Sequence, residues 1–156
     1  MKKIRRGVFE TNSSSTHSLI VMPQESVHYL SPSRTLVVRF IDTDDEHVLS
    51  TLKDKVSYLV SQIISKYKYD VYDYDDLKEQ VYSDYDFKRI AEYVKNRYNK
   101  IVTLPKTHTG SLDEIVNINW QIQEDNLDNI LMDLVQQHDL LEDVLSQDRA
   151  IEIGRD

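Results

Sequence analysis

Val48-Leu49-Ser50-Thr51-Leu52-Lys53-Asp54-Lys55-Val56-Ser57-Tyr58-Leu59-Val60-Ser61-Gln62-Ile63-Ile64-Ser65-Lys66-Tyr67 is the longest periodic stretch of this chain, and its reading decides the fold. Val48, Leu49, Leu52, Val56, Leu59, Val60, Ile63, Ile64 and Tyr67 recur at intervals of three and four, the spacing of one helical face. The pattern predicts an amphipathic helix of about six turns. Just upstream, Asp42-Thr43-Asp44-Asp45-Glu46 offers an N-cap oxygen and places carboxylates where a helix dipole favours them, so the helix is predicted to begin there.

Working outward, Tyr67 to Asp76 breaks the helical period. A second helix follows, carrying Leu77 and Val81 and then Phe87, Ile90, Ala91, Val94 and Tyr98, with an interruption near Ser83. Short apolar or β-branched runs predict strands at 18–22, 34–41, 100–104 and 150–153. Val116, Ile118, Trp120 and Ile122 alternate with polar residues and predict one more, half-buried strand. A last helix, capped by Asp125 or Asn126, carries Leu127, Ile130, Leu131, Leu134, His138, Leu141 and Leu145. With no repeat and no linker, residues 1–156 read as a single α+β domain. The expected architecture is a mixed or antiparallel sheet with about three helices.

At 156 residues, 40% hydrophobic and 29% charged, the composition is that of an ordinary globular chain able to build a core. The absence of Cys excludes disulfides, thiolate metal sites and cysteine nucleophiles. The basic start Met1-Lys2-Lys3-Ile4-Arg5-Arg6 lacks the apolar stretch of a signal peptide, and no segment is apolar enough to span a membrane. A soluble, cytoplasmic protein is the expectation.

Three constellations stand out. In the first, residues 5–18, two arginines, Glu10, Asn12, six hydroxyls and His17 crowd into a polar loop. Arg6, Asn12, Ser13, Thr16 and His17 are candidates to bind an anion such as a nucleotide phosphate. Glu10, Ser14 and His17 are the candidates for base, nucleophile and acid, should the fold bring them together. The spacing matches neither a P-loop nor a nucleophile elbow, and the hydroxyls could equally satisfy backbone groups in successive turns. The run Arg6-Gly7-Val8-Phe9-Glu10-Thr11-Asn12-Ser13-Ser14-Ser15-Thr16-His17-Ser18 resembles the opening of uncharacterised small proteins from bacteriophages and Gram-positive prophages. The likeness covers about the first 20 residues and nothing beyond them. It implies a viral origin, and so a small protein that acts on host machinery, but it brings no catalytic residues with it.

The second constellation is charge. Residues 1–110 are nearly balanced, whereas residues 111–148 carry ten acidic side chains and no Lys or Arg, so the net charge of −8 belongs to the final third. Asp128, Asp133, Asp139, Glu142 and Asp143 surround the apolar face of the last predicted helix. Such a surface either keeps the protein in solution or imitates nucleic-acid phosphates toward a basic groove. The third is the segment 67–86, where six of the ten tyrosines, Tyr69, Tyr72 and Tyr74 among them, interleave with aspartates. Tyrosine offers rigid contact area with a polar tip, and the carboxylates speak against a nucleic-acid backbone beside it. The five histidines show no metal-ligand spacing, so no metal and no cofactor are expected.

Together these features suggest a phage accessory protein, not an enzyme, that binds and inhibits or modulates a host nucleic-acid-processing or defence protein. Tyr69, Tyr72, Tyr74 and the five C-terminal carboxylates form the expected contact surface. The alternatives are an anion-binding or enzymatic domain built on the N-terminal loop, and a self-associating structural protein.

Overall fold

The computed structural model describes residues 17–24, 30–42, 47–110, 112, 115 and 138–155. Among them are helices α1 (Leu52–Tyr67), α2 (Tyr74–Ser83), α3 (Tyr85–Tyr98) and α4 (His138–Leu145). The strands are β1 (His17–Pro23), β2 (Thr35–Val37), β3 (His47–Leu49), β4 (Ile101–Thr103) and β5 (Arg149–Arg155). The α+β class is as expected, with the strands of the described residues in two small sheets. An antiparallel sheet has the order β1-β5-β3, and a parallel pair joins β2 to β4.

Helix α1 starts later than its periodicity suggests. Thr51 is the cap: its backbone is extended and its Oγ1 accepts the Asp54 amide at 3.1 Å. Val48 and Leu49 belong to β3, paired with Glu152 and Ile151 of β5. Their burial follows the strand period, with Leu49 at 2% and Val48 at 65% exposure. Of the proposed start, Asp42 precedes the strand and residues 43–46 lie outside the described residues.

Once begun, α1 is buried on nearly every side. Leu52, Val56, Leu59, Val60, Ile63 and Ile64 form the centre of a single core shared by all four helices and both sheets. Its polar positions are occupied too. Ser57 Oγ accepts the Arg39 amide and Ser61 Oγ the Ile41 amide, each at 3.0 Å. The run 34–41, expected as one strand, is divided. Thr35–Val37 pairs with β4, Val38 still donates to the Thr103 carbonyl, and from Arg39 on the backbone hydrogen-bonds to the serine stripe of α1.

The predicted break near Ser83 is Asp84, which separates α2 from α3. Its Oδ1 caps α3 by accepting the Phe87 amide at 3.0 Å, and its Oδ2 accepts the Tyr67 hydroxyl at 2.5 Å. Asn99, with φ 56 and ψ 41, ends α3 in the left-handed region that asparagine tolerates. The predicted strands at 18–22, 100–104 and 150–153 correspond to β1, β4 and β5. The predicted strand over 116–123 and the start of the last helix lie outside the described residues.

Lys55 is a charged side chain with no exposed surface. Its Nζ donates to the carbonyls of Ser146 at 2.7 Å and Arg149 at 2.8 Å, in the turn joining α4 to β5. Gln24, just after β1, grips the same turn, its Nε2 reaching the Gln147 and Arg149 carbonyls and its amide donating to Asp148 O. Burial pushes the Lys55 ammonium down to about 8, against a smaller upward pull from Asp148. The unfolded chain keeps that proton up to 10.5, so between these values it binds more protons than the folded state and stability rises with pH. Buried tyrosines act in the opposite sense. Tyr67, Tyr74 and Tyr93 are pushed up to about 12 by burial, so stability is lost as pH climbs above their ordinary 10. The thermal midpoint is expected to climb between pH 8 and 10 and to fall above that. In Lys55→Met the climb should vanish while the alkaline fall remains, as differential scanning calorimetry across that range would show.

Candidate functional site

The tyrosine and aspartate residues of 67–86 are arranged by helix ends. Tyr67 closes α1, and α2 begins at Tyr74 with Asp73 as its cap, Oδ1 accepting the Asp76 amide at 2.8 Å. Asp76 reaches back, its Oδ2 accepting the Tyr72 amide at 3.2 Å. The two carboxylates thus satisfy two amides reciprocally at the start of α2, in the manner of a capping box. Lys66 pairs with Asp86 at 2.9 Å and Tyr67 with Asp84, tying the end of α1 to the start of α3. Much of the unusual composition is therefore helix-terminal chemistry.

Opposite this segment runs the chain after β4. Tyr74 donates its hydroxyl to the Pro105 carbonyl at 2.6 Å, and Lys78 Nζ donates to the Lys106 carbonyl at 2.8 Å. His108 completes a triangle of rings, its centre 5.6 Å from that of Tyr74 and 5.9 Å from that of Phe40. Gly110 turns the chain at φ 112, a value that a side chain would oppose. Between the two walls lies an open cleft of about 740 Å³ bordered by Tyr69, Tyr72, Tyr74, Lys106 and His108.

The tyrosines have different environments. Tyr72 is 97% exposed, Tyr85 63% and Tyr69 52%, whereas Tyr74 is only 9% exposed. Tyr74, expected at the contact surface, is instead a cleft wall whose hydroxyl is used internally. Lys68 holds its ammonium 4.9 Å from the Tyr69 ring centre, and Lys78 stands 5.2 Å from that of Tyr74 while approaching Asp75 Oδ1 at 3.3 Å. Among the described residues no cluster of three or more His, Asp or Glu side chains is placed to hold a metal ion. What the cleft offers is ring faces, the carboxylates of Asp73 and Asp75 and the ammonium groups of Lys68 and Lys106, a chemistry of binding.

Other expected site residues are placed differently. Arg6, Glu10, Asn12, Ser13, Ser14 and Thr16 lie outside the described residues, as do Asp128 and Asp133, while His17 begins β1 opposite Arg155. Asp139 lies in α4, Glu142 is exposed there and Asp143 half-buried. Glu142 borders a small cleft of about 250 Å³ together with Arg89 and Arg97 of α3. Glu142 thus borders a cleft of mixed charge, with Glu92 of α3 lining it as well. Lys106, His108 and Gly110 were not anticipated. They carry no local motif, and only the fold brings them to the tyrosines.

The chain matches no family model, no curated protein and no solved structure. Among the described residues no helix is long and apolar enough to cross a membrane.

Because the Tyr74 hydroxyl is a part-buried donor to Pro105, Tyr74→Phe is expected to cost about 1 kcal/mol of stability. It should also release the wall of the cleft. Hydrogen exchange of the amides at 106–110 should accelerate while those of α1 stay protected, and uniform acceleration would place the effect in the core instead.

Proposed function

We propose that this chain binds a protein partner through the surface formed by Tyr69, Tyr72 and Tyr85 and the aspartates among them, and acts by occupying that partner. The observation that carries this reading is the 97% exposure of Tyr72 on a backbone fixed by its hydrogen bond to Asp76. A large amphipathic ring with only two rotatable bonds loses little conformational entropy when covered, which is why binding surfaces are rich in tyrosine. Tyr69 and Tyr85 extend the same chemistry on segments that Tyr67, Lys66, Asp84 and Asp86 tie together. The carboxylates beside the rings disfavour direct contact with nucleic acid. The resemblance of residues 6–18 to phage proteins makes a bacterial host protein the natural partner, one that processes nucleic acid or defends against phage. Inhibition would follow from covering its working surface.

The test is quantitative capture from host lysate with wild-type protein and with Tyr69→Ser/Tyr72→Ser, both checked for native circular dichroism. A stoichiometric partner should be held by the wild type and weakened about tenfold or more by the double substitution. A partner held equally by both proteins would move the contact surface elsewhere. Dependence on His17→Ala alone would move it to the N-terminal loop.

A further inference from the structure

A second cleft, of about 390 Å³, lies between β2 and the first turn of α1. Its volume falls within the range of small-ligand sites. Leu30, Leu36, Val37 and Leu52 supply an apolar wall, and the charged side chains that border it are Lys53 and Lys100. No carboxylate and no aromatic ring stands among the described residues lining it. On a chain of net charge −8 this is a local inversion of sign. The nearest acidic neighbours in sequence are engaged elsewhere, Asp54 with Arg39 at 2.9 Å and Asp148 with Arg149 at 3.2 Å. Lys100 is only 7% exposed. Its Nζ donates to the Ser31 carbonyl at 2.6 Å and to the Ser33 carbonyl. An ammonium has three donors, and among the described residues neither a partner for the third nor a carboxylate answers this one. A buried cation held by carbonyls alone lacks its counter-charge. At the start of α1, Thr51 accepts the Asp54 amide with its side chain and the Lys55 amide with its carbonyl. The amides of Leu52 and Lys53 are left as open donors at the positive end of the helix.

We infer that this cleft binds a small aliphatic carboxylate, its hydrocarbon chain against the leucines and Val37 and its head group answering the charge of Lys100 and Lys53. Charge complementarity selects an anion, because the lining is cationic without a compensating acid. The wall selects an aliphatic body, since it offers branched side chains and no ring on which an aromatic ligand would stack. A carboxylate fits better than a phosphate. The cleft presents neither a guanidinium nor a glycine loop of the kind phosphates favour, and a single negative charge is enough to neutralise Lys100. The site is separate from the tyrosine surface and does not depend on the function proposed for it.

The probe is octanoate, compared with octanol, its uncharged counterpart of equal chain length. In amide NMR spectra octanoate should cause saturable shifts at residues 35–37 and 50–53, and octanol should bind about tenfold more weakly. Lys53→Gln, at an exposed position, should weaken octanoate about two- to threefold. Val37→Asp sets a carboxylate at the cleft on a side chain already 41% exposed, and should abolish binding. Lys100→Met should weaken it about tenfold. If losing the anchor to Ser31 and Ser33 unfolds that variant, the two exposed substitutions decide the question. Glu142→Gln, in a different cleft, should leave binding unchanged. Equal affinity for octanoate and octanol would overturn the inference, as would shifts that fail to saturate or fall outside the cleft. Octanoate binding indifferent to Val37→Asp would overturn it as well.

Discussion

The ammonium of Lys55 is where distant parts of this molecule meet. It sits inside the core on α1 and is satisfied by two carbonyls of the turn between α4 and β5, about ninety residues away in sequence. A buried charge is tolerated only where hydrogen bonds replace its water, so the turn and the helix are conditions of one another. β5 is the middle strand of β1-β5-β3, and fixing where it starts therefore fixes two registers at once. Gln24 at the end of β1 grips the same turn, so both ends of the chain converge on a few carbonyls. Contacts of such separation carry the entropic cost of closing a long loop.

The same helix satisfies the chain that leaves the parallel pair. Val38 donates to β4, and on the opposite edge of this segment the serine stripe of α1 accepts the amides of Arg39 and Ile41. A helix with hydroxyls on a buried face can thus replace a neighbouring strand, provided each hydroxyl meets one amide. Ser57 and Ser61, one turn apart, meet Arg39 and Ile41, two residues apart, because a helical turn and two extended residues are of comparable length. The result is a chain that leaves its sheet without leaving buried amides unsatisfied.

What the sequence made legible follows from how local each signal is. The core positions of α1, the break between α2 and α3 and the strands β1, β4 and β5 depend on neighbours in sequence, and all were readable. The start of α1 was not, because Val48 and Leu49 continue the helical stripe as well as they fit a strand. Only the pairing with Ile151 and Glu152 decides between them. Lys55 carries no sign of burial, since a lysine within an amphipathic helix ordinarily lies in solvent. The cleft was half legible. Its tyrosines were conspicuous, but its other wall lies some thirty residues further along and joins them through Tyr74 and Lys78. Tyr72 and Tyr74 stand in identical dipeptides, and the start of α2 between them, with the contact of Tyr74 to Pro105, makes one a surface residue and the other a wall.

That divergence bears on how such a surface can change. Asp73, Asp76 and Asp84 cap helices or bind partners across helix ends, so their carboxylates are held by folding before any ligand is considered. Substituting them would disturb binding and stability together. Tyr72 is free of that coupling, because its ring touches little of the protein and only its backbone amide is engaged. The fold thus places a fixed negative frame around an aromatic position that can vary at little cost to stability. Partner specificity would then be tuned at Tyr72 and its exposed neighbours while the capping aspartates stay constant, a division set by helix-end chemistry.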